Sequence, residues 1–427
     1  MCSLRCSAIL ITVGLLLIFG SSCSKDIHSF SIYEEDGVTI AETIGGPKYE
    51  GELFAYEEVL KLQQDPDQPE SLLYRPLELA MDERGYFYVT DSGHKKIAVF
   101  DTLGQYSHSI GRAGGGPGEF NYPRIQSVQN GIISVYDRFL RRTSRFKTDG
   151  TLIDITTVPV TTDISISAFY LIDDDRHLML ADHSIMKDGF HQNTAATMLS
   201  ASSDTIWSIQ TQTVQTGTQV RYTINEQQYR DVLSYPFGCF PMCVYQPNIG
   251  IVVSTGWIPE LEIYDLAGSL RLKVKIALEP EPITYTEQSR IRSFFLKNIE
   301  ETEYSVEVAK SRLENLRFPE SKAPWRVIEV DDAGFIWLRK TVSQQEWLLQ
   351  PMALTVNEEW EENPHYLIVS PEGEYLGFTQ RPEATGPVKF SFARNGYLLT
   401  NGLDAVTNEN EFKIYRIIPA VEGLEYP

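Results

Sequence analysis

The most conspicuous shortage in this sequence is positive charge. Lys and Arg together number 37 against 58 Asp and Glu, which gives a formal net charge of −21 over 427 residues. A surface this acidic repels phosphate backbones, so nucleic acid is excluded as a general partner. The seven histidines are scattered and show no spacing typical of a zinc or calcium site. The sequence therefore predicts no metal site and no cofactor.

Signatures of phosphate binding and of nucleophilic catalysis are also missing. The glycine-rich run Gly114–Gly118 lacks the Lys-Ser/Thr pair of a phosphate-binding loop and does not open a helix. No Ser/His/Asp or Cys/His arrangement is recognisable either. The sequence therefore identifies no catalytic residue.

The N-terminus carries an export signal. Arg5 is the only charge before an apolar run from Ala8 to Phe19, which is too short to span a bilayer comfortably. The small residues of Gly20-Ser-Ser22 then precede Cys23, which resembles a lipobox, where the thiol is acylated and the peptide is cut just ahead of it. We predict that residues 1–22 are a lipoprotein signal peptide, that Cys23 is lipidated, and that the protein lies at the outer membrane, on its periplasmic or its surface side. An ordinary signal peptide and an uncleaved anchor are the alternatives.

The remaining cysteines of the mature chain are Cys239 and Cys243. In an extended strand their sulfurs would lie too far apart to bond, so a disulfide requires a turn at Pro241. An oxidising periplasm permits such a bond. No histidine stands close by to complete a metal site. We interpret the pair as structural and leave its oxidation state open.

Internal repeats determine the predicted fold. Gly85–Asp91 and Gly131–Asp137 both run from Gly through alternating apolar residues to Val and then to Asp, and the two copies are offset by 46 residues. In each copy an aromatic residue follows the Val by eleven positions, and a turn glycine follows it by fifteen. A third copy runs from Val253 to Gly268, and weaker copies begin near Leu178, Asp331 and Arg394.

Each repeat is predicted to form four short strands separated by turns. A four-stranded meander cannot bury both faces alone, so neighbouring units must stack around an axis. Six units fit between Ile27 and Pro419. The sequence thus predicts an all-β fold, a six-bladed β-propeller of four-stranded antiparallel blades, as a single domain over residues 23–427. At least one of Gly37–Ile44 and Phe54–Leu62 is expected to pair with strands around Phe390–Pro419 and close the ring.

A stretch from Thr286 to Phe318 departs from the β pattern. Its apolar residues fall at helical spacing, and charged residues occupy the other faces. We predict two helices joined near Glu300–Glu303, which form a helical insert over about 284–318 between the fourth and fifth blades. Packing against the core or as a lid is one interpretation, and binding of a partner is the other.

The repeats resemble those of the NHL family. The resemblance lies in Arg75–Ser92, which reads Arg-Pro-Leu-Glu-Leu-Ala-Met-Asp-Glu-Arg-Gly-Tyr-Phe-Tyr-Val-Thr-Asp-Ser, and in the glycine-rich Ile110–Phe120. The stretch Ala323–Trp337 is similar to a blade of the six-bladed β-propeller lipoproteins of Gram-negative bacteria. The resemblance implies a propeller and a cell-envelope location. That family has little assigned chemistry, so the resemblance implies no reaction.

The candidate ligand site lies on one face of the predicted propeller. Loops between second and third strands share that face with the links between blades, around the central channel. The candidate ligand-binding residues on it are Arg75, His94, Arg124, Arg138 and Trp257. An Arg fork binds carboxylates or phosphates, and an aromatic ring stacks on a sugar or a peptide. The alternatives are that the arginines pair with neighbouring acids and that Trp257 packs in the core.

The recurring Asp91 and Asp137 invite a catalytic interpretation. Their repetition in consecutive units favours turn capping instead, because Asp commonly accepts backbone N–H bonds in turns. We predict a binding or scaffold module for an anionic ligand, an envelope protein, a peptide or a carbohydrate, with membrane contact through the N-terminal lipid only. The alternative is a hydrolase or lyase of the lactonase type, with channel-bound calcium or zinc held by separate blades. RNA binding, found among NHL proteins, is opposed by the net charge and by export.

Overall fold

The computed structural model of the protein describes residues 28–158, 164–186, 189–224, 226–301, 306–341, 365–382, 390–394, 396–403 and 410–426. Within these ranges most residues lie in β-strands, and two helices are present. The predicted signal peptide and Cys23 lie outside the described residues.

Six sheets, each with a four-stranded antiparallel meander, form the blades, which are numbered here in chain order. The strands of blades 1 and 2 are Pro76–Met81, Phe87–Asp91, Lys96–Phe100 and Tyr106–Ile110, then Pro123–Gln129, Ile132–Asp137, Arg142–Lys147 and Leu152–Thr157. Those of blades 3 and 4 are Ile164–Leu171, Arg176–Met186, Phe190–Ser200 and Thr205–Gln210, then Met242–Gln246, Gly250–Ser254, Glu260–Tyr264 and Leu270–Ile276. Those of blades 5 and 6 are Trp325–Val330, Ile336–Lys340, His365–Val369 and Tyr375–Gln380, then Phe390–Arg394, Tyr397–Leu403, Asn410–Pro419 and Phe54–Lys61. The protein is a six-bladed β-propeller, as the repeats predict.

The first strands of the blades stand side by side around the axis. The first strand of blade 1 contacts those of blades 2 and 6, and the first strand of blade 5 contacts those of blades 4 and 6. Successive strands of a blade alternate in direction, so the loops between second and third strands lie on the same face as the links between blades. We call this the linker face. The opposite face, which carries the other turns of each blade, is called the far face.

The turns of the far face explain the glycine that recurs in the repeats. In blade 1 the Asp101 carboxylate accepts the backbone N–H groups of Leu103 and Gln105, both at 2.9 Å. Gly104 closes this turn at a φ of +74°, a region that favours glycine. A Cβ atom at Gly104 would lie 2.8 Å from the Lys61 carbonyl oxygen of blade 6. The glycine therefore serves both the turn and the contact between two blades.

The core is divided into layers between neighbouring blades. Blades 1 and 2 share a cluster of fully buried side chains that includes Tyr88, Val99, Val128 and Ile133. Full burial of one such side chain contributes about 1.5–3 kcal/mol. Each blade packs one side against each of its two neighbours. The apolar residues of the repeats point to both sides in alternation, and they form these layers.

The ring is closed by the N-terminal strand Phe54–Lys61, which pairs antiparallel with Asn410–Pro419. This confirms the predicted closure. The other candidate strand behaves differently: Val38–Ile44 pairs in parallel with Leu270–Ile276 at the outer edge of blade 4. Ser29–Glu35 then pairs antiparallel with Val38–Ile44 and extends that sheet to six strands.

Two insertions rise from the linker face and pack together. The first is the hairpin of Val214–Ile224 and Gln227–Ser234, in the link between blades 3 and 4. The second consists of helix α1, Tyr285–Glu301, and helix α2, Val306–Asn315, in the link between blades 4 and 5. The helices confirm the predicted insert, whereas the hairpin was not predicted. We call the two insertions together the cap.

The cap has a small core of its own. Val220 and Leu233 of the hairpin lie in one buried cluster with Ile291 and Leu316 of the helical insert. The Thr218 hydroxyl donates a hydrogen bond to the Asn315 carbonyl at 3.1 Å. An Arg312–Asp231 ion pair adds a further contact between the two insertions. These contacts support packing as the role of the helices.

Blade 3 also extends toward the cap. The sequence predicts a loop over His183–Phe190, but the second strand of this blade continues to Met186 and the third begins at Phe190. Residues Phe190–Gln192 pair with the start of the cap hairpin. This stretch consists largely of polar residues, so it lacks the alternation of apolar and polar residues by which a strand is recognised in a sequence.

The remaining short elements are the strands Arg112–Ala113 and Glu119–Phe120, which pair in parallel, and the 3-10 helix Pro69–Ser71.

Candidate functional site

Asp91 organises the linker face of blade 1. Its buried carboxylate accepts the backbone N–H groups of Tyr74 at 3.1 Å, Arg75 at 2.9 Å and Gly93 at 3.0 Å. The ring Nδ1 of His94 lies 2.6 Å from the same carboxylate. Burial alone would raise the pKa of Asp91, but the hydrogen bonds from Arg75, Tyr74 and His94 outweigh it and hold the pKa below its usual range. Asp91 thus connects the segment before the first strand of blade 1 to the loop between its second and third strands.

Asp137 performs the same task in blade 2. Its carboxylate accepts the backbone N–H groups of Asn121 at 2.6 Å and Tyr122 at 2.9 Å, which precede the blade. It also accepts those of Phe139 at 3.0 Å and Leu140 at 2.9 Å, which follow the second strand. Both recurring aspartates therefore cap backbone, which confirms the structural role that their repetition predicts.

The segments that Asp91 holds together carry a cluster of side chains at the surface of blade 1. Tyr74 is 64% exposed, and the Arg75 guanidinium lies 5.6 Å from the centre of its ring. The His94 ring lies 6.0 Å from the Tyr74 ring, centre to centre. A side chain on Gly93 would collide with the Tyr74 ring, since its Cβ would lie 2.3 Å from a ring carbon. Two predicted ligand residues, Arg75 and His94, thus meet around an exposed aromatic ring.

A second aromatic surface lies on blade 2. Phe139 is 65% exposed, and its ring packs edge-on against Tyr122 with 5.4 Å between ring centres. Arg138, the neighbouring predicted residue, is exposed and donates a hydrogen bond to the Ser165 hydroxyl of blade 3 at 2.9 Å. Sequence reasoning missed Tyr74 and Phe139 because most aromatic residues in the repeats serve the core. The adjacent arginines were the available signal.

Arg124 differs from the exposed arginines. Its Nε donates to the Glu78 carboxylate of blade 1 at 2.7 Å, and the same carboxylate accepts the Ile125 N–H at 2.8 Å. Burial raises the pKa of Glu78, although the charge of Arg124 opposes the rise. The pair connects the first strands of two blades near the axis. Any ligand at Arg124 would share the guanidinium with Glu78.

The corresponding aspartate of blade 3, Asp182, is less tightly held. It is half-buried and burial raises its pKa, against a hydrogen bond from Thr194 and the charges of His183 and Arg138. Among the described residues, no three His, Cys, Asp or Glu side chains are grouped so that they could hold a metal ion.

Trp257 lies apart from these arginines, between blades 4 and 5. It is half-buried and lines a cavity of about 310 Å³ at the foot of the cap. The cavity is bounded by Leu278–Glu281, Ser321–Pro324 and Lys340–Thr341. At its edge the Lys322 ammonium contacts Glu281 at 2.6 Å and Glu287 at 2.7 Å. The predicted ligand residues therefore lie at separate places on the linker face, and only Arg75 and His94 come together.

The two remaining cysteines are free thiols. Cys239 is buried and Cys243 is half-buried, and burial raises the pKa of both thiols. Their sulfurs are not bonded to each other in this structure. No helix in the described part of the chain is long and apolar enough to cross a membrane.

A comparison with known families agrees with this architecture. A family described as a 6-bladed beta-propeller matches residues 69–240, which span blades 1 to 3. Similar solved structures include a putative exported protein from Bacteroides fragilis, 12% identical, with a TM-score of 0.49 over 88% of this chain and 99% of that one. A member of the DUF4221 family from Bacteroides vulgatus is 12% identical, with a TM-score of 0.48 over 86% of this chain and 99% of that one. A virginiamycin B lyase from Staphylococcus aureus is 9% identical, with a TM-score of 0.38 over 84% of this chain and 99% of that one. No curated protein matches this sequence.

Proposed function

We propose that the protein is an exported lipoprotein of the cell envelope, anchored through Cys23 at the outer membrane, and that its propeller binds an anionic ligand on the linker face. The ligand class is a carboxylate-bearing carbohydrate or peptide, free or displayed on an envelope protein. One observation carries the proposal. Consecutive blades present an exposed aromatic ring beside an exposed arginine, namely Tyr74 with Arg75 and Phe139 with Arg138.

The two side-chain types bind complementary parts of such a ligand. An exposed ring offers an apolar surface to a sugar or a peptide at little cost in conformational entropy. The planar guanidinium donates two parallel hydrogen bonds to a carboxylate. The exposed guanidinium groups of Arg75 and Arg138 also add local positive charge to this face, in a chain of net charge −21.

The carboxylates of these blades favour binding over catalysis. The side chains of Asp91 and Asp137 are occupied by backbone N–H groups, so they position the loops that carry the aromatic and arginine side chains. Polar groups fixed by the scaffold beside exposed rings are typical of a preformed binding surface.

A titration with charged and neutral carbohydrate tests the proposal. The probes are oligogalacturonate and its methyl ester, which share their rings but differ in charge, and binding is measured by calorimetry on the soluble chain from residue 24. We expect binding of the acid and not of the ester. The double substitution Arg75→Ala/Arg138→Ala should weaken binding by about tenfold or more for each guanidinium–carboxylate pair that it removes.

A matched control removes the same charge from the far face. Arg84→Ala/Arg176→Ala also deletes two arginines, both of which are paired with nearby aspartates in turns of the far face. Its affinity should equal that of the wild type. Equal reductions in affinity in the two double variants would show a general charge effect, and would contradict a site on the linker face.

A further inference from the structure

The position of His28 constrains how a propeller anchored through Cys23 sits on its membrane. His28 is held by two contacts: its Nδ1 lies 3.0 Å from the Gly46 carbonyl oxygen, and its Nε2 lies 3.0 Å from the Glu374 carboxylate. Lys48 contacts the other oxygen of Glu374 at 2.9 Å. His28 therefore lies beside Glu374.

Glu374 belongs to the far face. It ends the turn between the third and fourth strands of blade 5, His365–Val369 and Tyr375–Gln380. Strands of a blade alternate in direction, so this turn lies opposite to the links between blades. The adjoining hairpin is fixed to the propeller as well, because Val38–Ile44 pairs with blade 4 and the Tyr375 N–H donates to the Thr43 hydroxyl at 3.0 Å.

The tether between this point and the lipid is short. Four residues, 24–27, separate Cys23 from His28. Even a fully extended chain spans at most about 3.6 Å per residue, so the acylated Cys23 lies within about 18 Å of His28. The lipid surface must lie equally near.

The height of the molecule on this side exceeds that reach. The first strand of blade 5, Trp325–Val330, has six residues, which corresponds to about 20 Å from face to face. Beyond Asp182, the second strand of blade 3 continues for four residues to Met186 and adds about 13 Å on the linker face. The cap stands over blades 3 to 5, the side from which the tether leaves. A linker face laid on the bilayer would require a tether of roughly 33 Å.

We infer that the far-face rim of blade 5 lies against the lipid surface and that the linker face is turned toward the aqueous compartment. This inference rests on the proposed lipid anchor. It deepens the proposed function, because it assigns to the linker face a ligand that arrives from solution or from an opposing surface, and not a lipid of the anchoring membrane.

Energy transfer from two labelled positions to a lipid acceptor tests this orientation. The lipidated full chain, in a Cys243→Ala background, is bound to the outside of phosphatidylethanolamine/phosphatidylglycerol vesicles that contain a rhodamine lipid. A donor is attached at Glu372→Cys on the far-face turn of blade 5, or at Tyr285→Cys, where the native side chain is 85% exposed at the start of α1. Both positions lie on the tethered side, so the pair differs mainly in height.

We expect clearly stronger transfer from position 372 than from position 285. Equal or reversed transfer from protein that floats with the vesicles would overturn the orientation and leave the proposed binding face intact. Failure of the wild-type chain to float, with behaviour identical to Cys23→Ser, would overturn both the anchor and the orientation.

A longer tether provides an internal check. Insertion of twenty Gly/Ser residues between Lys25 and Asp26 adds about 25 Å of average reach. The difference between the two labels should then shrink, because the longer chain permits other orientations. An unchanged difference would show that something other than the tether sets the orientation, and would overturn the argument from tether length.

Discussion

The substitution Asp137→Ala tests the structural role of the recurring aspartate. Asp137 is 1% exposed, and its carboxylate accepts four backbone N–H groups, from Asn121, Tyr122, Phe139 and Leu140, at 2.6–3.0 Å. Hydrogen bonds to a charged group contribute about 1.5–3 kcal/mol each, and they are not additive within one site. We expect a loss of about 3–5 kcal/mol in the free energy of unfolding.

Thermal unfolding followed by circular dichroism measures this loss. Globular proteins gain roughly 2 cal/mol/K of entropy per residue on unfolding, so in a chain of this length 1 kcal/mol shifts Tm by about 1 °C. Asp137→Ala should therefore lower Tm by about 3–5 °C. The control is Asp149→Ala on the far-face turn of the same blade, where an exposed carboxylate accepts the Thr151 N–H at 2.9 Å. A shift for Asp137→Ala no larger than the control's would refute the structural role.

Two further substitutions address the far face and the closure of the ring. Burial raises the pKa of Asp331 to about 6 against hydrogen bonds from Trp337 and Tyr426, so its folded-state pKa lies above the unfolded value of about 3.9. Its contribution to the free energy of unfolding is therefore present below pH 4 and is lost as the pH rises through 6. Asp331→Asn should remove up to about 3 kcal/mol of that loss, seen as a flatter dependence of Tm on pH between 4 and 7. An unchanged slope of Tm against pH would contradict this assignment. Phe54→Ala should cost about 3–5 kcal/mol, because this buried ring in the closing strand stacks on Trp337 at 5.4 Å and meets Tyr426 at 4.9 Å. Val59→Ala, at a position 42% exposed in the same strand, should cost less than about 1 kcal/mol, and similar Tm values for both variants would argue against closure by this strand.

Much of the fold could be predicted from the sequence because each blade repeats a local pattern. In blade 1 the repeat pattern predicts strands at Pro76–Met81, Tyr86–Thr90, Lys96–Phe100 and Tyr106–Ile110. Each of them agrees with the structure to within one residue. The cap hairpin could not be predicted, because its strand Val214–Ile224 is mainly polar. Its buried Val220 lies in one cluster with Leu316, almost a hundred residues away, and no local period in the sequence records that long-range packing.

The candidate site was predictable in part. The capping role of Asp137 follows from repetition, and the exposure of Arg75 follows from its place before the first strand. The exposed rings of Tyr74 and Phe139 were missed, since an aromatic residue near a strand end is more often core. The Trp257 cavity depends on several chain segments, from Trp257 to Tyr375, that only the folded blades bring together.

The most direct test of the central claim is hydrogen–deuterium exchange with and without saturating oligogalacturonate. The account predicts slower exchange in the linker-face loops at 92–95 and 138–141, with no change in the far-face turns at 82–85 and 101–104. Protection confined to the far face, or the same protection in Arg75→Ala/Arg138→Ala at equal saturation, would contradict the claim that this face binds the ligand.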